Sequence, residues 1–338
     1  MKKIFVIISN ATAGIATYES NLIKLLNYSK QKVCLIANKN ILLKKNKKLL
    51  EKYYCNALWE PFRVFNYLSI IKKQNNYTEI NFVISNSSIF IIYFIILKIF
   101  FKNKKIFLIK HSHITNPSIN QIIVGFTSSI LSNFANRVIF VSNFTLNWWC
   151  KYFILYRFAN KLVIHNFIYL PKKVIKKKIN TFRIAFVGRL DKEKGLNKFI
   201  EIAKYIGGNK YKFSVYGNKK SQSQYYKNIK FYGWKEKKQI YNNIDLLIVT
   251  SPIENCPFNV LEAKSYGVPT LTTSRGGIKE IIKNNEDGIL VDTNAKLDLI
   301  KNKIICIKKK HKFFSRNSYQ NAKKFDAFFL KKKILKLF

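Results

Sequence analysis

Two glutamates and two cations carry the clearest chemistry in this chain of 338 residues. Glu254 and Glu262 are separated by seven residues in Glu254-Asn-Cys-Pro-Phe-Asn-Val-Leu-Glu262. Arg189 and Lys194 lie in Gly188-Arg-Leu-Asp-Lys-Glu-Lys-Gly195. A carboxylate accepts hydrogen bonds from sugar hydroxyls and repels phosphate, whereas cations and uncapped backbone N–H groups at a helix start attract phosphate. Pro257 suits a first helical turn, where its missing N–H would be unpaired anyway. That leaves the N–H groups of Phe258, Asn259 and Val260 to cradle an anion. Glutamates for two sugars, with amides and cations for a diphosphate between them, match the parts of a nucleotide sugar. Charge-assisted bonds to phosphate contribute about 1.5–3 kcal/mol each. Cations fixed where a diphosphate departs stabilise the transition state more than the ground state.

Those residues need a frame. Short β-branched runs alternate with longer helical stretches, which predicts an α/β fold on parallel sheets. In the first half, strands are expected at 3–8, 32–37, 80–85, 105–109 and 137–141, and helices at 18–28, 87–101, 119–135 and 143–152. The second half repeats the scheme, with strands at 183–187, 212–215, 229–232, 246–250, 270–273 and 289–291. Its helices are expected at 195–206, 235–243, 257–266 and 277–283. Near-continuous apolar strands suit sheets covered on both faces, and ligands of such sheets bind beyond the strands' carboxyl ends. Arg189 and Lys194 follow one expected strand and Glu254 another, so all three fall at one sheet edge. Glu262 lies inside the next helix, which Gly267-Val-Pro269 stops. Pro171 opens a lysine-rich run to Lys178 that suits a linker. The expected domains are 1–173 and 174–312, with a basic helical segment, 313–338, packing back on the first.

The length suits two domains of roughly 150 residues. An apolar share of 48% and an aromatic share of 15% supply both cores and exclude disorder on that scale. Lys and Arg number 61 against 17 Asp and Glu, for a net charge of +44. Three readings of that excess compete. A nucleic-acid binder would release counterions. A protein on an anionic membrane would gain about 1 kcal/mol per nearby cation. Compositional bias is the third, since Ile, Asn and Phe crowd the chain as an AT-rich genome would dictate. The five scattered cysteines form no CxxC pair, which points to a reducing compartment and away from disulfides or zinc. The short apolar start ends at Ser9-Asn10 without a cleavage-like site, so no signal peptide is expected. The run 82–101 is broken by Ser85, Asn86, Ser87, Ser88 and Lys98. Its uninterrupted core, 89–97, falls far short of the ~20 residues that span a bilayer, and a buried helix is expected.

In combination, Gly188-Arg189, Lys194-Gly195, Glu254, Glu262, Gly267-Val-Pro269, Gly276-Gly277, Glu280, Asp287-Gly288 and Leu290-Val291 resemble the retaining glycosyltransferases of family four (glycosyl transferases group 1). The resemblance covers about 183–292. It implies the GT-B fold, two Rossmann-like doubly wound domains facing a cleft. It also implies a nucleotide-sugar donor, a UDP-sugar foremost, with neither metal nor cofactor. Arg189 and Lys194 would hold the donor diphosphate, Glu254 would touch the transferred sugar, and Glu262 would take the ribose hydroxyls. Gly188, Gly276 and Gly277 would allow close backbone approach, with a plain turn as the alternative at the last two. Glu280 serves equally well as a charge at its helix start. The family's glycines after the first Glu are here Cys256-Pro257-Phe258, a departure that bears on how phosphate is held.

In the first half, Ser9-Asn-Ala-Thr-Ala-Gly14 stands where the family usually has a glycine-rich loop, and only Gly14 remains as glycine. Ligand contact and an ordinary turn are both open there. His111 and His113 follow the strand 105–109, where family members often place a histidine near the transferred sugar or the acceptor. Continued alternation would set both rings on one face, and no nearby ligand completes a zinc set. Ser142 and Asn166 match family positions but read first as cap or turn residues. The activity implied is retaining transfer of a hexosyl or N-acetylhexosaminyl group. The acceptor implied is a growing lipid-linked, lipopolysaccharide, O-antigen or capsule glycan. The setting is the cytoplasm, peripheral on the anionic inner face of the cytoplasmic membrane, with no nucleic-acid partner. A sugar-nucleotide epimerase of the same architecture would convert its donor without an acceptor. A basic nucleic-acid-binding protein would explain the charge but not the glutamates beside a cationic loop.

Overall fold

The computed structural model describes residues 3–9, 13–37, 50–54, 60–73, 79–85, 87–101, 103–115, 117–174, 181–217 and 228–337. The chain divides into two units, Met1–Phe167 with Leu330–Phe338, and Ile168–Phe329. Residues 313–329 thus stand with the second unit and 330–338 with the first. Part of the lysine-rich run, 175–178, lies outside the described residues.

The first unit runs β1 (Lys3–Ser9), α1 (Ala13–Tyr28), β2 (Lys32–Ala37), β3 (Leu50–Tyr54), α2 (Pro61–Lys73), β4 (Glu79–Ile84), α3 (Ser87–Phe100), β5 (Lys105–Lys110), α4 (Ile119–Ser132), β6 (Arg137–Phe140), α5 (Asn143–Tyr152) and β7 (Lys161–Val163). Its seven strands lie in the order β3-β2-β1-β4-β5-β6-β7, and every pairing is parallel. Ile4, Val6 and Ile8 enter one core layer, while Phe5 and Ile7 are buried on the opposite face. Burial on both faces is why the strand reads as an unbroken apolar run.

The second unit runs β8 (Phe182–Val187), α6 (Leu196–Ile206), β9 (Tyr211–Tyr216), β10 (Ile229–Gly233), α7 (Lys237–Tyr241), β11 (Leu246–Val249), α8 (Phe258–Ser265), β12 (Thr270–Thr273), β13 (Gly288–Val291), α9 (Leu297–Lys309) and α10 (His311–Ala322). A last helix, α11 (Ala327–Leu335), ends the described chain. The strand order is β10-β9-β8-β11-β12-β13, again all parallel. On α6, Leu196, Phe199, Ile200 and Ala203 recur at helical spacing and are buried. Leu196, Phe199 and Ile200 each contribute roughly 1.5–3 kcal/mol on burial.

Both sheets reverse direction of growth once, between β1 and β4 and between β8 and β11. Such switch points leave a crevice at the carboxyl ends of the flanking strands. In the second unit a forked ion pair ties the two flanking strands together at their opposite, amino ends. Arg183 at the start of β8 meets Asp245, which precedes β11, with Nε–Oδ2 at 2.9 Å and Nη2–Oδ1 at 2.8 Å. Burial alone would raise the Asp245 pKa, but the bonds and charge of Arg183 more than reverse this and hold it below the ordinary value.

Candidate functional site

The two strands flanking the second switch point each end in a loop that carries expected site residues. After β8 come Gly188, Arg189 and a short 3-10 turn, Lys192–Lys194. Asp191 caps that turn, its Oδ1 accepting from the Lys194 N–H at 2.9 Å. Gly195 then reverses the chain at φ 72°, and a Cβ there would stand 2.3 Å from the Thr250 carbonyl oxygen. Only glycine fits both demands. Thr250, just past β11, donates its hydroxyl to the Gly195 carbonyl at 2.7 Å, so the two loops are stitched together.

This stitching aims Lys194 at Glu254, with Nζ 2.6 Å from Oε1. Glu254 is buried, 7% exposed. A third loop, after β12, fixes its backbone: Glu254 bridges Gly276 in parallel fashion. Gly276 adopts φ 86°, and a Cβ on it would lie 2.1 Å from the Glu254 carbonyl oxygen. Three strand ends therefore converge on one buried carboxylate with one cation. Removing either partner of such a pair costs several kcal/mol, because the charge left behind is unpaired.

Arg189 lies outside that pair. It is exposed, with Nε 3.0 Å from Asp191 and Nη2 2.7 Å from Glu193. Exposed pairs of this kind contribute about 0–1 kcal/mol, so the guanidinium is released at little cost. Glu262 on α8 faces α7 instead, accepting from the Tyr241 hydroxyl at 3.1 Å and meeting Lys237 Nζ at 2.6 Å. Burial first, then the Glu262 carboxylate, push the Tyr241 phenol far above its ordinary pKa, so it remains a donor.

The start of α8 is framed by Pro257 in extended conformation, and no side chain caps it. Phe258 is half-buried there and Val260 is buried. Asn259 donates its Nδ2 to the Val187 carbonyl at 2.7 Å, which ties α8 to the end of β8. Gly188 is half-buried, and its N–H donates to the Tyr216 carbonyl. Gly277 is buried and opens a single 3-10 turn, Gly277–Glu280, where an α-helix was expected over 277–283. The helix cannot continue because the Asp287 carboxylate accepts from the Lys283 N–H at 3.0 Å and closes a turn. Glu280 sits half-buried in that 3-10 turn.

In the first unit β5 ends at Lys110, so strand alternation does not extend to the two histidines. His111 packs edge-on against Tyr18 of α1, with centroids 4.8 Å apart. His113 packs against Phe144 and Trp148 of α5. Burial pulls the His111 pKa down to about 3, which keeps the ring neutral. Among the described residues its buried Nε2 has no hydrogen-bond partner. Gly14 is exposed in the first turn of α1, and 10–12 lie outside the described residues. Ser142 caps α5 through the Thr145 N–H at 3.1 Å, and Asn166 is buried.

Two charged side chains near these elements were not legible as site residues. Glu19 of α1 is fully buried, and burial raises its pKa to about 7, opposed by the hydroxyls of Ser9 and Ser85 at the ends of β1 and β4. Neither carboxylate oxygen reaches ordinary hydrogen-bond geometry with them. Lys110 is also buried. The one available signal for either was an isolated charge beside an apolar strand or helix, which reads as solvated. Among the described residues no cluster of three His, Cys, Asp or Glu is placed to hold a metal ion, and no helix is long and apolar enough to cross a membrane.

Residues 171–325 match the family model described as glycosyl transferases group 1. Over 129 residues the chain is 31% identical to an uncharacterized 41.2 kDa protein in the cps region of Klebsiella pneumoniae, covering 36% of this chain and 34% of that protein. Over 140 residues it is 29% identical to the UDP-Gal:alpha-D-GlcNAc-diphosphoundecaprenol alpha-1,3-galactosyltransferase of Escherichia coli, covering 37% of this chain and 36% of that one. The chain thus spans about a third of the length of these curated relatives. The crystal structure of Anabaena HepE in complex with UDP matches over 99% of both chains, with a TM-score of 0.78 at 17% identity. The two doubly wound sheets are those of the GT-B fold.

Proposed function

We propose, from the match of residues 171–325 to the glycosyl transferases group 1, that this protein is a glycosyltransferase of cell-surface polysaccharide synthesis. It moves a hexosyl or N-acetylhexosaminyl group from a nucleotide diphosphate sugar, with retention of configuration. The donor is a UDP-sugar, in keeping with the UDP bound by HepE. The acceptor is a glycan growing on a lipid diphosphate, as the name of the Escherichia coli relative suggests. The protein works peripherally at the cytoplasmic face of the membrane, without nucleic acid, metal or organic cofactor.

The observation that carries this reading is the Lys194–Glu254 pair at the switch point, with Glu254 buried and three strand ends converging on it. Lys194 offers a positive charge to the departing diphosphate, and Arg189 adds a second once its exposed pairs open. Their stabilisation grows as negative charge develops on the leaving group. The departing diphosphate then helps take the proton of the incoming hydroxyl on the same face of the sugar. Glu254 accepts from hydroxyls of the transferred sugar, and Glu262 from those of the ribose. Amides at the start of α8 and beside Gly188, Gly276 and Gly277 line the diphosphate. His111 or His113 serves the acceptor side, beside Gly14. His111 stays neutral at all working pH values, so it acts as a hydrogen-bonding group and not as a charge.

Calorimetric titration with UDP-, GDP- and ADP-sugars tests the reading. One donor should bind, and Arg189→Ala and Glu262→Ala should each weaken it by about 10–100-fold, the equivalent of one lost charge-assisted contact. No binding by any donor overturns the assignment. Conversion of the donor sugar to its epimer without an acceptor would replace it with the epimerase reading.

A further inference from the structure

The helix α4 is inside out. Its buried residues are Gly125, Ser128, Ser129 and Ser132. Its exposed ones are Ile119 (76%), Ile122, Ile123, Phe126 and Ile130. These five recur at three- and four-residue spacing, so they form one continuous stripe. Gly125 sets the helix down close: a Cβ there would fall 2.2 Å from the Phe153 ring. The neighbouring α3 adds Ile92, Ile95 and Ile99, all more than two-fifths exposed. Beyond the end of α4, Asn133 bonds the Leu155 carbonyl at 3.1 Å and brings up Ile154 and Phe158, the latter 77% exposed. Scattered exposed apolar residues need no explanation, but a contiguous patch of this kind marks an interaction surface.

Charge indicates what covers it. No Asp or Glu occurs anywhere between Glu79 and Asp191, so α3, α4 and α5 carry no acid at all. The charges these segments do carry are cations, Lys98 on α3, Lys104 after it, Lys151 on α5 and Arg157 in the turn that follows, and the whole chain carries a net +44. An apolar stripe on a segment that carries cations and no acid complements an anionic lipid surface, with the side chains among the acyl chains and the cations at the headgroups. A second copy of this chain would instead bring two strongly cationic surfaces face to face.

We propose that the outer faces of α3 and α4 form a monotopic docking surface for an anionic phospholipid bilayer, with α4 lying flat in the interface. The helix has 14 residues, about 21 Å at 1.5 Å per residue, so it lies along the membrane and does not cross it. The inference rests on the membrane setting of the proposed function for its occupant, and names the face.

Flotation of the full chain with vesicles of phosphatidylglycerol and phosphatidylcholine tests it, with donor calorimetry run on the same preparations. The wild type should float with these vesicles and not with pure phosphatidylcholine. Ile123→Glu combined with Phe126→Glu should weaken the partition more than about tenfold. Ile70→Glu, a substitution of an exposed isoleucine on α2, should leave it unchanged. Both substituted sites are solvent-facing, and unchanged melting temperatures would confirm folding. Undiminished flotation of the double variant overturns the docking face, as does a dimer in the wild type that the double variant splits. Failure to float with intact donor binding removes this inference and leaves the glycosyltransferase reading. Flotation without donor binding does the reverse.

Discussion

Lys110 sits at the end of β5 with its ammonium 3.0 Å from the Ser128 hydroxyl and 4.3 Å from the Trp149 ring centroid. Tyr156 stands behind, at 5.3 Å. Among the described residues no carboxylate pairs with it, and burial lowers its pKa from 10.5 to about 7. The sign follows from proton counting. Between about pH 7 and 10.5 the unfolded chain holds a proton on this lysine that the folded chain has shed. Stability therefore rises with pH across that window, by up to ~1.4 kcal/mol per pH unit, and is lost as pH falls through it. Lys110→Met should raise the urea midpoint at pH 7 and flatten its pH dependence. An unchanged slope would mean that the ammonium is solvated. Burial of this kind is not written in a single sequence, since an isolated Lys at a strand end reads as exposed. The placement of Arg189, Lys194 and Glu254 at strand ends, and of Glu262 within α8, was legible from their spacing. Lys237 and Tyr241, which hold Glu262, were not, because they come from another helix with no motif of their own.

At the scale of elements, one buried ion pair joins three segments of the second unit. Lys264 of α8 meets Asp287 at 2.9 Å, and both side chains are fully buried. Asp287 also takes Asn321 of α10, and its backbone carbonyl accepts from Ser318 at 2.7 Å. Burial lowers the Lys264 pKa, and Asp287 opposes the shift. Asp287→Ala should cost roughly 3–5 kcal/mol, since it leaves a buried ammonium unpaired. The double change with Lys264→Met should recover much of that loss in denaturant melts. Equal melts for the single and double variants would show that the pair is uncoupled. The expected 270–273 and 143–152 coincide with β12 and α5. The strands β3 and β7 were not legible, because Leu50–Tyr54 carries Glu51 and Lys52 side by side and Lys161–Val163 is only three residues long. The helix α9 escaped notice for a related reason, its lysines diluting the buried positions Ile300, Ile304 and Ile307.

For the molecule as a whole, a net charge of +44 stores self-repulsion in the folded state that the expanded chain relieves. Added salt screens it, with a Debye length near 8 Å at about 0.15 M. The melting temperature should accordingly rise by about 2–4 °C for each kcal/mol recovered between low and physiological salt. A fall would mean that the ion pairs, and not the excess cations, dominate the balance.

The first unit is assembled from both ends of the chain. It is left at Phe167 and regained at Leu330, where Ile334 is buried and Lys331 lies over the Tyr28 ring. During synthesis the ribosome therefore delivers the entire second unit before the first can close. A nascent first unit has all seven strands but must wait, with the surface that buries Ile334 uncovered, for the time needed to translate 168–329. Any factor that slows elongation over that interval prolongs the exposure, so the folding yield of this protein is tied to the tempo of its translation.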